Sequence, residues 1–309
     1  MKKILCFIFI ITAVAFGQNL SVVRTERIPL DKKGDFSFPQ FSPDGSKILF
    51  TRSNFKGLWL YDLNDKSVVK LNDYWGAGYN PIFSKDGSKI FFRSYEYDKM
   101  KKYSSIVIQN IPTKHAQWLE KGVRNLSVPM LINGDKIIYK KDDKLNYHDF
   151  KKGVKVNSNS ASGTVAYIEN SQIVIYKNGK KKILSPLGKG NYIWLSISPH
   201  KSRLLFTFAG KGTFISDLNG NSLIELGYAN APKWSPDGNW VVYMVDEDDG
   251  YRITASDIYA VSSDGKVKEQ LTNTPEIIEM HPSWSPDMDK IVYDTINGNI
   301  MLIEVKIEE

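Results

Sequence analysis

At 309 residues the chain is long enough for two domains, yet it carries a single cysteine, so its stability has to come from apolar burial and not from a disulfide framework. The formal net charge of +7 is mild, and the lysines scatter through turns such as Lys180-Lys181-Lys182 instead of forming one tract. That distribution describes solvated loops and argues against nucleic acid as a partner.

Lys2 and Lys3 precede an apolar stretch from Ile4 to Phe16, and Ala15-Phe16-Gly17 offers a small-residue cleavage pattern before Gln18. This predicts an export signal over residues 1–17, one domain over residues 18–309, and a periplasmic or secreted protein. The apolar stretch is too short to span a bilayer comfortably, and no later segment approaches the length needed, so no transmembrane segment is expected after cleavage. Cys6 lies near the start of that stretch, whereas a lipid-modified cysteine belongs at its end. Cleavage leaves no thiol, which excludes cysteine nucleophiles and cysteine metal sites from the mature chain.

Ser21-Val-Val-Arg-Thr-Glu-Arg-Ile-Pro29 follows as an isolated strand pattern. Beyond it one phrase returns five times: Pro39-Gln-Phe-Ser-Pro-Asp-Gly45, Pro81-Ile-Phe-Ser-Lys-Asp-Gly87, Leu195-Ser-Ile-Ser-Pro-His200, Pro232-Lys-Trp-Ser-Pro-Asp-Gly238 and Pro282-Ser-Trp-Ser-Pro-Asp287. Repetition at a few tens of residues means units that cannot bury their own apolar faces and must stack on neighbours. Within the phrase, Pro presets φ, Asp bonds back to nearby backbone and Gly takes the left-handed position that ends a tight turn. Each phrase leads into a β-branched or aromatic run, such as Lys47-Ile-Leu-Phe-Thr51 or Trp240-Val-Val-Tyr-Met244, which reads as a strand. A third run usually follows, as in Gly57-Leu-Trp-Leu-Tyr-Asp62, and a more polar fourth closes the unit, as in Ser67-Val-Val-Lys-Leu71.

Four antiparallel strands per unit, with no helical periodicity between units, predict an all-β fold of propeller blades. Two weaker units, around Lys136-Ile-Ile-Tyr-Lys140 and Gln172-Ile-Val-Ile-Tyr176, lack the Ser-Pro-Asp-Gly turn and bring the count to seven. If they merge into one irregular blade, the count is six. The last unit offers only three runs, ending in Asn299-Ile-Met-Leu-Ile-Glu-Val305, so the isolated strand near the start is expected to complete it and close the ring.

The residues Phe41-Ser-Pro-Asp-Gly-Ser-Lys-Ile-Leu-Phe50 and Leu271-Thr-Asn-Thr-Pro-Glu-Ile-Ile-Glu-Met-His-Pro-Ser-Trp-Ser-Pro-Asp287 resemble the repeats of TolB-type propellers. The resemblance covers nearly all of the mature chain. It implies one of several roles, because the class includes periplasmic TolB, propellers attached to serine peptidases, and oligogalacturonate lyases. TolB carries an α/β domain ahead of its propeller, and residues 18–38 leave no room for one.

The Ser-Pro-Asp-Gly turns should share one rim, where turn formation accounts for their acids. The opposite face should collect Asn72-Asp-Tyr-Trp-Gly-Ala-Gly-Tyr-Asn80, Tyr95, Tyr97, Tyr192, Tyr228, Tyr251 and His281, beside the acidic loop Asp246-Glu-Asp-Asp-Gly250. Tyr and Trp give large contact area at little cost in side-chain entropy, which suits recognition of a peptide or protein; the alternative is that these rings plug gaps between blades. Trp75, Tyr79, Tyr95, Tyr251 and His281 are the expected partner-binding residues. Asp246, Asp248, Asp249 and Asp257 have the chemistry of a calcium ligand set, but Gly250 falls one place early for a calcium loop and the closing glutamate is absent.

There are no nucleophile elbow, no His-Glu-x-x-His and no phosphate-cradling loop, so no catalytic residue is assigned. Oligogalacturonate lyases, as the resemblance implies, use a histidine-rich metal site, whereas His115, His148, His200 and His281 occupy different repeat positions here. No metal or other cofactor is therefore expected. The sequence points to an exported, non-enzymatic scaffold that receives a peptide segment or protein of the cell envelope. By resemblance, its partners include peptidoglycan-associated lipoprotein. The alternative is a carbohydrate-active enzyme such as a metal-dependent, oligogalacturonate-lyase-like propeller.

Overall fold

The repeated phrase folds as a turn that satisfies its own polar groups. In the first copy the Ser42 hydroxyl donates to Asp44 (2.6 Å), the Ser46 N–H donates to the same carboxylate (3.1 Å), and the Lys47 N–H donates back to Ser42 Oγ (2.9 Å). The Gly45 N–H closes on the Ser42 carbonyl at φ 71°. Ser84 and Asp86 repeat these contacts, and hydroxyl donation from the two serines at each turn helps hold both carboxyls below their usual range. Asp44 and Asp86 are thus turn residues.

A computed structural model describes residues 19–30, 34–132, 134, 136–142, 144–156 and 163–308. The expected export signal lies outside them. The first blade comprises β2 (Phe36–Phe41), β3 (Lys47–Arg52), β4 (Leu58–Asp62) and β5 (Val68–Asn72); the second β6 (Ile82–Phe83), β7 (Lys89–Asp98), β8 (Lys101–Asn110) and β9 (Ala116–Val123). The third comprises β10 (Met130–Ile132), β11 (Lys136–Lys141), β12 (Lys144–Asp149) and β13 (Val154–Val156); the fourth β14 (Thr164–Glu169), β15 (Gln172–Lys177) and β16 (Lys180–Leu184). The fifth comprises β17 (Tyr192–Ile197), β18 (Arg203–Phe208), β19 (Gly212–Asp217) and β20 (Ile224–Gly227); the sixth β21 (Asn230–Trp234), β22 (Trp240–Asp248), β23 (Ile253–Ser262) and β24 (Lys268–Gln270). The seventh joins β25 (Glu279–Trp284), β26 (Lys290–Thr295) and β27 (Ile300–Glu308) to β1 (Asn19–Arg27). Every pairing is antiparallel, and no described residue is helical or placed to cross a membrane as a helix.

This is a seven-bladed propeller, and the six-blade alternative falls away. Among the described residues the fourth blade pairs three strands and each of the other six pairs four. Only residues 185–191 separate β16 from β17, and Pro186, Gly188 and Gly190 make that stretch a turn, too short for a strand and two connections.

Alternation along the strands explains the ring. In β3, Ile48 and Phe50 pack with Val292 and Leu302 of the seventh blade, while Leu49 between them packs with Phe92 and Val107 of the second. Successive side chains point to opposite faces, so one strand serves two neighbours. Five further clusters continue the pattern, through Phe91 and Tyr139, Ile138 and Val165, Ile175 and Phe206, Leu205 and Tyr243, and Val242 and Ile291. Each apolar core lies between two blades and belongs wholly to neither.

Strand β1 closes the circle as expected, pairing from Asn19↔Glu308 to Arg27↔Met301. Its side chains are mostly exposed, but Leu20 is buried in the core between the sixth and seventh blades, and Ile28, just beyond its end, in the core between the seventh and first. The turn before β27 depends on glycine: Gly298 has φ 74°, and a Cβ there would stand 2.7 Å from the Gly34 carbonyl and 2.9 Å from Phe36 N. Only a bare backbone lets that turn rest on the chain leading into the first blade.

Candidate binding site

The innermost strands share a distortion. Phe38, Asn80, Trp194, Ala231 and His281 occupy equivalent places in five blades, and all have left-handed backbones, with φ between 48° and 55°. Pro39, Pro81, Pro232 and Pro282 follow four of them, and proline has no N–H to give to a ladder. The strand pairing slips at this point in β2, β17, β21 and β25. For residues other than glycine such a conformation costs about 1–3 kcal/mol and persists only where the surroundings enforce it.

The slip turns the next position toward the centre. Gln40, Ile82, Ser196, Lys233 and Ser283 stand two residues after the distorted positions, and with them they line a cavity of about 480 Å³ at the mouth of the central channel. Four rings run along its rim. His281 lies 3.9 Å from Phe38 by ring centroids, Phe38 lies 4.6 Å from Phe55, and Phe55 meets Tyr79 edge-on at 5.3 Å.

Asp294 fixes one end of this row. It is fully buried, His281 Nδ1 lies 3.0 and 3.2 Å from its two oxygens, and the Phe38 N–H donates to it at 3.2 Å. Burial raises its pKa, and the hydrogen bond from His281 opposes that rise. With Asp294 ionised, Nδ1 is the donor and Nε2 is the ring's free nitrogen. One carboxylate therefore holds the distorted backbone of the first blade and the imidazole of the seventh.

Lys233 is enclosed by the channel walls yet solvent-exposed, because the space in front of it is the channel itself. That crowding lowers its pKa. Among the described residues, the cavity lining contains no carboxylate and no other lysine or arginine.

Of the five residues expected to bind a partner, Tyr79 and His281 line this cavity. Trp75 and Tyr95 form a neighbouring group, with centroids 6.5 Å apart, the Tyr95 N–H donating to the Trp75 carbonyl, and lysine ammoniums over both rings, Lys56 at 4.7 Å and Lys102 at 4.0 Å. Tyr251 joins neither group; it is 99% exposed at the tip between β22 and β23. The sequence reading overlooked Phe38, Phe55, Trp194, Lys233 and Asp294. Phe38 and Trp194 were within reach, since aligning the repeated phrases puts both in register with His281.

The acidic loop satisfies its charges locally. Asp246 accepts from Asn230 and Tyr228, Asp248 from the Gly250 N–H, and Asp249 from the N–H groups of Tyr251 and Arg252. Asp257 accepts from Gln270 and from the Thr274 N–H. Among the described residues no three His, Cys, Asp or Glu side chains gather as a metal site.

Glu279, at the start of β25, is 1% exposed, and Thr274 Oγ1 and Tyr293 Oη donate to one of its oxygens at 2.7 and 3.2 Å. Burial raises the pKa of Glu279, as it does that of Asp294. Between the unfolded value, about 4, and the higher folded value, the native state holds more protons than the unfolded chain, so stability falls as pH rises through this window. Asp44 and Asp86, held low, act in the opposite sense below it. Glu279→Gln is expected to flatten the decline on the high-pH side, measured as urea midpoints against pH; an unchanged profile would contradict this account.

No protein-family model and no curated protein match the chain. Solved structures do. TolB from Acinetobacter baumannii aligns at 18% identity and a TM-score of 0.54, covering 83% of this chain and 58% of that one. An oligogalacturonate lyase in complex with manganese aligns at 14% identity and 0.63, covering 94% and 96%. The oligogalacturonate lyase of Vibrio parahaemolyticus aligns at 13% identity and 0.58, covering 93% and 96%. The chain thus has the TolB-like propeller fold and spans 58% of the TolB chain it matches. These identities establish shared architecture.

Proposed function

We propose that this TolB-like propeller is an exported scaffold that receives a peptide segment or protein of the cell envelope, of the peptidoglycan-associated lipoprotein kind, at its channel mouth. The observation that carries the reading is the preformed row of rings from His281 through Phe38 and Phe55 to Tyr79 along an open cavity. Rigid aromatic anchors bind with little ordering cost because their positions are set in advance. Trp75 and Tyr95 extend the surface and Tyr251 supplies an outlying contact. Export rests on Lys2, Lys3 and the apolar stretch behind them. The test places a photo-crosslinking side chain at Tyr79 in the native cell. An envelope protein is expected, with its yield falling at least about tenfold in Phe38→Ala and Phe55→Ala; recovery of no envelope protein would refute the proposal.

A second reading, a carbohydrate-active lyase, draws on the pairing of His281 with buried Asp294, the arrangement that orients a general base. The residues do not fit a histidine-rich metal centre: His200 Nε2 lies 2.9 Å from the Asp237 carbonyl, His115 and His148 lie on other blades, and among the described carboxylates His281 meets only Asp294. Incubation with oligogalacturonate and manganese separates the readings. Unsaturated product that disappears in His281→Ala would replace the scaffold reading with the enzymatic one.

A further inference from the structure

We propose that the channel mouth is a terminal-carboxylate site, in which Lys233 pairs with the free C-terminus of a bound chain while the chain's last, apolar side chain lies against the rings of Phe38, Phe55 and Tyr79. The inference rests on the scaffold reading and names the chemical class of its ligand.

The repeat isolates Lys233. The equivalent channel positions are Gln40, Ile82, Ser196 and Ser283, all uncharged, so the blade pattern does not demand a cation here. The ammonium has no ion pair or hydrogen bond among the described residues, and the crowded walls around it disfavour its charge. An entering anion meets this cation with no competing partner among the described residues of the lining. Ser196, on the adjacent blade, lines the same cavity but adds no charge. A single cation in an otherwise uncharged, ring-lined cavity matches one carboxylate beside an apolar group.

The surroundings favour a chain terminus over an acidic side chain in mid-segment. The cavity, about 480 Å³, has the size of a small-molecule pocket, too small for a folded domain but sufficient for the end of an extended chain. A terminal residue presents its carboxylate and its side chain from one Cα, so an apolar last residue serves Lys233 and the rings together. Capture of chain ends by a fixed donor set is an established mode of recognition.

The experiment uses a pool of N-acetylated hexapeptides ending in phenylalanine and randomised elsewhere, prepared as free acids and as C-terminal amides, with digalacturonate as a third probe. Binding is measured by calorimetry on the full mature chain. Free acids are expected to bind at least about tenfold more tightly than amides. Lys233→Met should abolish the preference without lowering the thermal midpoint, and Lys233→Arg should retain it. Equal binding of acids and amides, no binding of free acids, a preference that survives in Lys233→Met, or binding of digalacturonate alone would each overturn the proposal. Failure is separable from that of the scaffold reading. A partner crosslinked at Tyr79 with no acid preference removes this inference alone, whereas an acid preference without an envelope partner removes the reading of who binds.

Discussion

Deleting residues 19–27 is expected to make the protein self-associate and unfold at markedly lower urea. Strand β1 supplies the outer edge of the seventh blade, and its loss leaves β27 with an unpaired row of N–H and C=O groups from Met301 to Glu308. Such a row is a template for another chain. The deletion also removes Leu20 from the core that holds Trp240, Trp284 and Ile303, where loss of a buried leucine costs about 2–5 kcal/mol. Leu20→Ala separates the two effects: it should lower the urea midpoint without changing the elution volume on size-exclusion chromatography. A deleted chain with unaltered elution and an unaltered midpoint would show that the ring does not depend on its closing strand.

The second large effect is expected at Asp294. Asp294→Ala leaves the Phe38 N–H and His281 Nδ1 without their buried acceptor, a loss of about 3 kcal/mol or more. It also frees the strained backbone at Phe38, so the ring row loses its alignment and crosslinking at Tyr79 should fall with it. Asp294→Asn keeps the volume and one acceptor oxygen without a buried negative charge, and should cost much less. Urea midpoints for both variants, read beside crosslinking yields, test the claim; an Asn variant as damaged as the Ala variant would show that the retained acceptor oxygen does not carry the effect.

Much of the architecture was legible because each blade repeats one local grammar. The Ser-Pro-Asp-Gly turn and the run after it fix where the first two strands meet, and the surplus strand near Ser21 together with the incomplete last unit announces the closure. The fourth blade was harder: Gln172–Lys177 and Lys180–Leu184 read as strands, but the absence of a fourth depends on how little chain remains before Tyr192.

The site was less legible, since its parts come from distant segments. Tyr79 and His281 stood out by residue type, yet Phe38 looked like one more strand residue until the closed ring set it against His281. Asp294 read as a strand end, and nothing local reveals that it will be fully buried. Lys233 resembled every other scattered lysine, because a channel is made by all the blades at once. Tyr251 differs again: it sits beside the acidic loop in the sequence and stands exposed on a hairpin tip, apart from both ring groups.

The pairing of Asn19 with Glu308 decides which way the molecule faces when held. β25 descends from His281 toward the Ser285 turn, β26 returns and β27 descends again, so residues 19 and 308 both lie on the side of the Ser-Pro-Asp-Gly turns. Anything fastened at either place leaves from the back of the wheel. A tether to a membrane or to a sensor surface would point the ring row outward, toward whatever passes by.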